Sequence, residues 1–362
     1  MLGPSFNHLR FGVNYTPTRH WYYCWNDFEA DSVRRDLDAV AALCADHIRV
    51  QLIWPWFQPN PHWVSPVHLE RLLTLMSIAE ERRLDVCVAA LDGWLSGYGF
   101  RPPYNSTESI YTSAILRDAQ QRYFTELAGV LHPLPNFLGF DLGNEINCCW
   151  SAPCAEGDAW MNWAMDLVES LAPGNVHVNG VDHQPWFAEA TFSPTLLARR
   201  STIVALHAWI EFTGARTRGG PLETPCVGLC AAMTALAKEY ADDTAKPVWI
   251  QEFGASPLWM PEAQIPEFLE LSIRHAINAG ATWFTWWCSH DLDRSMAFSP
   301  LEYELGLLTL EQQMKPHGRR FQQLAQSLGG KQSTVSTTLT APPAGPQTYD
   351  KTWQWLEEWL VP

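Results

Sequence analysis

Residues 137–145 read Phe-Leu-Gly-Phe-Asp-Leu-Gly-Asn-Glu, an apolar run that predicts a buried strand and ends in an amide and a carboxylate. A second run, residues 248–254, reads Val-Trp-Ile-Gln-Glu-Phe-Gly and reaches a carboxylate, Glu252, near its end. Both runs are followed along the chain by stretches with apolar residues at helical spacing. Strand and helix patterns alternate in this way throughout the sequence, which predicts βα units around a parallel sheet.

Working outward from these two runs, eight strands and eight helices are predicted. The strands are Phe11–Thr16, His47–Trp54, Leu84–Leu91, Phe137–Asn144, Val176–Gly180, Thr202–Ala208, Pro247–Phe253 and Thr282–Cys288. The helices are Asp31–Cys44, Val67–Arg82, Arg117–Leu131, Ala155–Leu171, Thr195–Arg199, Thr224–Tyr240, Pro261–Asn278 and Arg319–Leu328. Eight alternating units in a chain of 362 residues predict one α/β domain, a (β/α)8 TIM barrel.

The last part of the sequence differs from the barrel in composition. We expect the catalytic barrel to cover residues 1–330 and a polar, Pro/Ser/Thr-rich linker-like segment to cover 331–347. Residues 348–362 carry Trp353, Trp355 and Trp359 at helical spacing. We therefore expect a C-terminal helix that docks on the barrel or on a partner subunit, the latter giving a homo-oligomer.

Composition narrows the range of partners. The formal net charge of −15 disfavours nucleic acid, and no apolar run is long enough to span a membrane. Nineteen tryptophans suit the flat C–H faces of sugars. The nine cysteines match no standard zinc spacing and are typical of reduced thiols, so no metal site is expected. With no export signal at the start, these features predict a cytoplasmic protein whose partner is a small neutral oligosaccharide.

The polar residues at predicted strand ends carry the chemistry. In such barrels the active site forms at the carboxyl ends of the strands, where Glu145, Glu252 and Arg49 fall. A buried ion pair between Arg49 and one glutamate is the structural alternative, but it leaves the second glutamate unexplained. Glycoside cleavage needs one carboxylic acid and one carboxylate. We therefore expect Glu145 as acid/base and Glu252 as nucleophile, kept ionised by Arg49.

The same residues carry a family resemblance. Asn144-Glu145 after strand four, Glu252 at strand seven, Arg49 in strand two, His207 ending strand six and Trp286 in strand eight together resemble glycoside hydrolase family 5, a family of retaining barrels. The chemistry requires no metal or organic cofactor, and the sequence carries no motif for one. The resemblance implies that Asn144 holds the sugar 2-hydroxyl, that His207 lies beside the acid/base, and that Trp286 floors the subsite of the cleaved sugar.

Two positions depart from the family pattern. Trp209 stands where a tyrosine that touches the nucleophile is common, and an indole offers only an N–H. Asp92-Gly93-Trp94 stands where a histidine is frequent. We count Trp209, Asp92 and Trp94 among the candidate substrate-binding residues.

Loop residues beyond the strand ends complete the candidate site. Asp182, His183 and Asp291 are candidates for binding sugar hydroxyls. Candidate pocket walls are Trp21, Trp25, Trp94, Trp150 and Trp186. Phrases such as Val-Asp-His-Gln-Pro-Trp, residues 181–186, resemble a bacterial β-mannosidase branch of the family, some members of which act on Manβ1-4GlcNAc.

Three functions follow from these observations. The first is a retaining exo-β-mannosidase of short substrates, favoured because a cytoplasmic enzyme meets imported oligosaccharides rather than polymers. The second is an endo-acting β-1,4-mannanase or β-glucanase with an open cleft. The third is a carbohydrate-binding barrel without catalysis, which the presence of both Glu145 and Glu252 disfavours, since a binding protein needs no such pair.

Overall fold

The computed structural model describes residues 6–105, 107–296, 299–333 and 339–360. Seven parallel strands form its main sheet, and β4 and β5 form a small antiparallel hairpin. In chain order the strands are β1 (Arg10–Asn14), β2 (His47–Ile53), β3 (Asp85–Asp92), β4 (Trp94–Leu95), β5 (Tyr98–Gly99), β6 (Phe137–Asp141), β7 (Val204–His207), β8 (Val248–Phe253) and β9 (Trp283–Trp286). The order across the main sheet is β6-β3-β2-β1-β9-β8-β7.

Helices lie between successive strands and cover the outside of the curled sheet. They are α1 (Ala30–Ala42), α2 (Trp54–Phe57), α3 (Pro66–Glu81), α4 (Ala114–Leu131), α5 (Ile146–Cys149), α6 (Cys154–Leu171), α7 (Gln184–Phe187), α8 (Pro194–Arg200), α9 (Thr224–Val227), α10 (Leu229–Ala241), α11 (Ile265–Asn278), α12 (Pro316–Leu328) and α13 (Tyr349–Leu360). Short 3-10 helices cover Trp21–Trp25, Ala215–Thr217, Glu262–Gln264, Arg294–Met296 and Pro300–Glu302. None of these helices, within the residues described, is long and apolar enough to cross a bilayer.

The predicted fifth strand, residues 176–180, is less regular than the other strands of the sheet. It runs beside β6, where Val178 N donates to Phe140 O at 2.9 Å and Leu142 N donates to Val178 O at 2.9 Å. A Cβ atom on Gly139 would lie 1.7 Å from Val176 O, so the close approach requires glycine. With this segment in the eighth position, the sheet is the predicted (β/α)8 barrel.

The predicted helix over residues 224–240 is two helices in the structure. The break falls at Gly228, between α9 and α10, where a Cβ atom would lie 2.6 Å from Thr224 O and 2.6 Å from Leu360 Cδ2. The second of these atoms belongs to α13. The interruption therefore makes room for the C-terminal helix to pack on the barrel.

The C-terminal helix α13 packs on the barrel of the same chain. Trp353 and Leu356 are buried, and Trp353 Nε1 donates to Thr213 O at 2.8 Å. Thr352 Oγ1 donates to Phe187 O at 3.2 Å. The division at 1–330, 331–347 and 348–362 stays a prediction, and residues 1–5, 106, 297–298, 334–338 and 361–362 lie outside the described part of the chain. A homo-oligomer formed through this helix also stays a prediction.

Candidate active site

Polar side chains from four strands meet at the carboxyl edge of the barrel. We call this group the floor: Arg49, Asp141, Asn144, Glu145, His207 and Glu252. The strands position them through register, since His207 pairs with Glu252 across β7 and β8, and Arg49 lies within β2, all of whose residues are buried. Five of the six are buried, and Glu145 is partly exposed. Charged groups in such a place are costly unless they are paired or used in chemistry.

Arg49 organises the floor. Its guanidinium donates to Asp141 Oδ2 from Nε at 2.9 Å and from Nη2 at 2.7 Å. The same group donates to Glu252 Oε1 at 2.6 Å and to Asn144 Oδ1 at 2.7 Å. Burial lowers the pKa of Arg49, but Asp141 and Glu252 outweigh that effect and raise the pKa above its usual value. A buried cation therefore holds two carboxylates and orients one amide.

Glu145 follows β6 in a left-handed backbone conformation, with φ of 43°. This conformation is uncommon for a residue other than glycine and is found at sites where surrounding structure enforces it. Here the enforcing contact is Glu145 N, which donates to Gly180 O at 2.8 Å. The turn at Glu145 begins the short helix α5 and leaves its carboxyl group among the cavity-lining groups.

The electrostatics of the two glutamates differ. Burial raises the pKa of Glu145 to about 7, with repulsion from Glu252 adding to the rise and the hydrogen bond with His207 opposing it. The distance from His207 Nδ1 to Glu145 Oε1 is 2.8 Å. Glu252 instead lies against the Arg49 cation at 2.6 Å. The environment thus favours a protonated Glu145 beside a Glu252 that is held by a cation, which suits an acid and a nucleophile respectively.

Glu145, His207 and Glu252 place one atom each within 4.8 Å of one another. Such a trio resembles a set of metal ligands. The buried Arg49 guanidinium, 2.6 Å from Glu252, disfavours a second cation there. His207 is further committed through Nε2, which lies 3.0 Å from Gln251 Oε1. These three side chains are therefore better suited to proton transfer and nucleophilic attack than to metal binding.

A cavity of about 550 Å³ lies above the floor, a size typical of small-ligand sites. One group of its lining residues, which we call the hairpin wall, is Ser96, Gly97, Trp287, Ser299, Leu301 and Glu302. A second group, which we call the acid-side wall, is Cys148, Asp182, His183, Gln184, Phe212 and Tyr349. Trp94 and Trp209 also line the cavity, together with Asn144, Glu145 and Glu252 of the floor.

Several residues predicted from sequence line this cavity. Asp182 accepts from Asn147 Nδ2 at 2.5 Å, and His183 Nε2 lies 2.5 Å from Tyr349 Oη. Asn144 Nδ2 donates to Trp94 O at 2.8 Å, which leaves its second N–H for another acceptor.

Other predicted residues lie elsewhere. Trp286 is fully buried and donates to Leu305 O at 2.9 Å, and the cavity is lined by its neighbour Trp287. Asp291 is bonded to Lys315 Nζ at 2.8 Å and does not line the cavity, and Asp92 is fully buried below it. Burial raises the pKa of Asp92 well above its usual value. The tryptophans that pack in the core rather than on this cavity are Trp21, Trp25, Trp150 and Trp186.

Trp209, the first departure from the family pattern, contacts the proposed nucleophile. Its indole Nε1 donates to Glu252 Oε2 at 3.3 Å. Arg49 already occupies the other oxygen, Oε1. The indole N–H therefore supplies the hydrogen bond for which a tyrosine hydroxyl is common in the family.

Sequence reasoning did not single out some residues of the site. Asp141 and Asn14 both hold Arg49, the latter accepting from Nη1 at 2.9 Å. Asp141 lies in the predicted strand pattern at residues 137–145, so its position near the end of that strand could have marked it as a site residue. Glu302 lies in a segment without a predicted strand or motif, and Tyr349 lies in the predicted C-terminal helix, where nothing in the sequence indicated that it reaches the cavity.

The fold and this paired-carboxylate site define a glycoside hydrolase. No protein-family model matches the chain, and no curated protein does either. Among solved structures, a GH5_18 protein from Streptomyces cattleya in complex with GlcNAc is 35% identical, with a TM-score of 0.88, covering 98% of this chain and 91% of that one. A variant of the same protein was solved in complex with Manβ1-4GlcNAc.

Two further structures are similar. A GH5_18 variant from Bifidobacterium longum subsp. longum in complex with Manβ1-4GlcNAc is 28% identical, with a TM-score of 0.88, covering 98% of this chain and 89% of that one. The exo-β-1,4-mannosidase Op5Man5 from Opitutaceae bacterium strain TAV5 is 22% identical, with a TM-score of 0.80, covering 91% of this chain and 63% of that one, and shares the fold. The chain belongs to glycoside hydrolase family 5, in the branch of the GH5_18 proteins.

Proposed function

We propose that this chain is a retaining exo-β-mannosidase that hydrolyses short β-mannosides, Manβ1-4GlcNAc among them, through a covalent glycosyl-enzyme. The observation that carries the proposal is that oxygens of Glu145 and Glu252 lie within 4.8 Å of each other at the base of the cavity. Carboxyl groups of retaining enzymes are about 5–5.5 Å apart, whereas inverting enzymes need roughly 6.5–9.5 Å. The short separation supports direct attack by a carboxylate.

In the first step Glu252 attacks the anomeric carbon and Glu145 protonates the departing glycosidic oxygen. Arg49 and Trp209 hold one oxygen each of Glu252, at 2.6 Å and 3.3 Å, so the carboxylate is oriented before substrate arrives. In the second step Glu145, now ionised, takes a proton from water, which attacks the glycosyl-enzyme and restores Glu252.

The identity of the sugar is proposed from the relatives. The Streptomyces cattleya and Bifidobacterium longum GH5_18 proteins were each solved with Manβ1-4GlcNAc, and the first is 35% identical to this chain. Trp94, Trp209 and Trp287 supply flat apolar faces around the cavity. Asn144 is available to bind the 2-hydroxyl through its second amide N–H.

The leaving sugar is expected on the acid-side wall, because the acid must reach the departing oxygen. Tyr349 of the C-terminal helix lines this wall and is paired with His183, at 2.5 Å. We propose that the C-terminal helix thereby contributes to binding the reducing-side sugar.

A product screen tests this function. Purified chain is incubated with aryl β-mannoside, Manβ1-4GlcNAc and polymeric mannan, and the first anomer released is followed by NMR. We expect hydrolysis of the two small substrates, release of mannose in the β configuration, and no mixed oligomers from mannan. Release of mixed oligomers would establish the endo-acting alternative, and an α-configured first product would contradict retention.

Location in the cytoplasm stays a prediction. It is supported by the nine cysteines, all of which are free thiols and six of which are buried, namely Cys24, Cys87, Cys149, Cys226, Cys230 and Cys288. Reduced cysteines are typical of that compartment.

A further inference from the structure

Glu302 is one of four carboxyl groups that line the cavity, with Glu145, Glu252 and Asp182, and the reaction described above does not use it. It lies in the segment after β9 and is 8% exposed. Trp287 Nε1 donates to Glu302 Oε2 at 3.2 Å, and the side chain of Ser96 also hydrogen-bonds to it. Among the described residues, no salt bridge pairs Glu302 with a cation.

The surroundings of Glu302 favour its neutral form. Burial raises its pKa to about 8, hydrogen bonds from Trp287 and Ser96 oppose the rise, and repulsion from Glu252 and Glu145 adds to it. A neutral carboxyl group both donates and accepts a hydrogen bond, as a sugar hydroxyl does. A buried group of this kind recognises a hydroxyl strongly, because an analogue without the hydroxyl leaves it unpaired.

The position of Glu302 within the cavity indicates which sugar it meets. Glu145 lies towards the acid-side wall, near enough to Asp182 for the two charges to interact, and the leaving group departs on that side. Glu302 is bonded to Trp287, whose backbone N donates to Phe253 O at 2.9 Å, next to the nucleophile Glu252. This connection associates Glu302 with the nucleophile, and hence with the sugar that stays on the enzyme.

The hairpin wall joins two chain segments across the end of the cavity. Ser96 and Gly97 form the tip of the β4–β5 hairpin, and both have positive φ, 51° and 95°. The tip reaches Glu302 through Ser96, and Tyr98 Oη donates to Met296 O at 3.0 Å nearby. The wall is therefore tied together by hydrogen bonds, which suits it to stop a longer chain from extending past the terminal sugar.

We propose that Glu302 is a specificity-determining residue that hydrogen-bonds a hydroxyl group of the non-reducing terminal sugar and, with Ser96 and Gly97, closes that end of the cavity. The proposal rests on the exo action proposed above and names the group that enforces it. The ligand chemistry is a ring hydroxyl remote from the cleaved bond, at C3, C4 or C6.

The test combines modified substrates with modified enzyme. Aryl β-mannoside and its 3-, 4- and 6-deoxy analogues are compared by kcat/KM with the wild-type chain and with Glu302→Ala. In the wild type, one deoxy analogue is expected to react about 10–100-fold more slowly than the parent, the range for losing a hydrogen bond of this type. Glu302→Ala should slow the parent by a similar factor and that one analogue by less than about threefold.

Glu304→Ala is the matched control, because Glu304 lies two residues away in an exposed pair with Arg294 at 2.7 Å. Glu304→Ala should leave each ratio of kcat/KM between parent and deoxy analogue within about twofold of the wild-type ratio. Equal slowing of all four substrates by Glu302→Ala would show a merely structural role and overturn the proposal. Should Glu302→Ala fail to fold, Glu302→Met takes its place, because it keeps the length of the side chain but cannot donate a hydrogen bond, and it should reduce the discrimination between parent and analogue.

The wild-type enzyme alone can also overturn the proposal. This would follow if all three deoxy analogues reacted at the same rate as the parent substrate. Failure of the proposed function looks different. If the chain hydrolyses another aryl β-glycoside instead of the mannoside, the deoxy series is made on that sugar, and the role of Glu302 stands or falls on those ratios alone.

Discussion

The floor and the walls of the cavity are built in different ways. The floor comes from strand ends, and its polar groups are locked by a buried guanidinium that contacts Asp141, Asn144 and Glu252. The walls come from segments outside the sheet, including a hairpin after β3, the segment after β9 and a helix near the C-terminus. This difference indicates that the barrel determines the reaction, whereas the surrounding segments determine which substrate is bound. Floor variants should therefore slow all substrates, and wall variants should change the preference among them.

The largest effect is expected at Glu252. Glu252→Gln keeps the shape but removes the attacking carboxylate, so kcat on every substrate should fall by about 10⁴-fold or more. The measurement is the steady-state rate on aryl β-mannoside, with Glu267→Gln on the exposed face of α11 as the control. A loss of activity confined to one substrate would indicate that Glu252 selects the substrate and is not the nucleophile.

The second-largest effect on activity is expected at Glu145. Glu145→Ala removes the acid, so kcat/KM on substrates with poor leaving groups should fall by about 10²–10⁴-fold, and activated aryl substrates should suffer much less. Added azide should accelerate turnover of the activated substrates, because it attacks the glycosyl-enzyme without help from a base. Lack of rescue together with full activity on poor leaving groups would remove Glu145 from the mechanism.

The pH profile sharpens the same assignment. With its pKa raised to about 7, mainly by burial, Glu145 keeps its proton through mildly acidic pH and loses it as the pH rises past that value. For the wild type, kcat/KM should fall above about pH 7 as the acid ionises. In Glu145→Ala, measured on an activated aryl mannoside, the decline near pH 7 should disappear, which leaves only the decline from ionisation of Glu302, whose pKa is raised to about 8 by burial. Persistence of the decline near pH 7 would assign it to another group.

Trp209 lies between floor and wall and should have a smaller effect. Trp209→Phe removes the indole donor to Glu252 but keeps an aromatic face on the cavity, so kcat should fall about tenfold on all substrates, the cost of one hydrogen bond to a charged group. Trp259→Phe is a suitable control, since that ring packs edge-on against Trp209 without touching the carboxylate, with centroids 5.9 Å apart. Similar losses in both variants would point to packing instead.

The smallest effect is expected on the acid-side wall. Tyr349→Phe keeps the ring but removes the hydroxyl paired with His183. We expect KM for Manβ1-4GlcNAc to rise about fivefold while aryl β-mannoside, which has no reducing-side sugar, changes by less than twofold. Equal changes on both substrates would mean that Tyr349 affects the floor and would weaken the distinction between the two regions.

The sequence predicted the floor residues except Asp141, because most of the signals that mark the floor are local. Strand patterns ending in Asn144-Glu145 and Glu252 place their side chains at one edge of a parallel sheet by geometry alone. The adjacent pair Trp286 and Trp287 shows the limit of such reasoning. Neighbouring residues of a strand point to opposite faces, so the cavity-lining member depends on where β9 ends, and the strand stops at Trp286, earlier than predicted.

Asp182 and His183 of the walls were predicted, but the rest of the walls could not be, because their contacts join distant parts of the chain. Asp291 was expected near the sugar, but Lys315 and the amide of Gly306 hold its carboxylate outside the cavity. Tyr349 meets His183 across 166 residues of sequence. Neither contact leaves a periodic or motif signal in the sequence.

The central claim, that Glu252 forms a covalent bond to the sugar, has a direct measurement. An activated 2-deoxy-2-fluoro-β-mannoside slows both steps, while its good leaving group speeds the first, so a glycosyl-enzyme accumulates and is found by mass spectrometry of the intact chain and its peptides. The account predicts one adduct, on the peptide that contains Glu252, and none in Glu252→Gln. An adduct on any other residue, or turnover with inversion and no adduct, would contradict it.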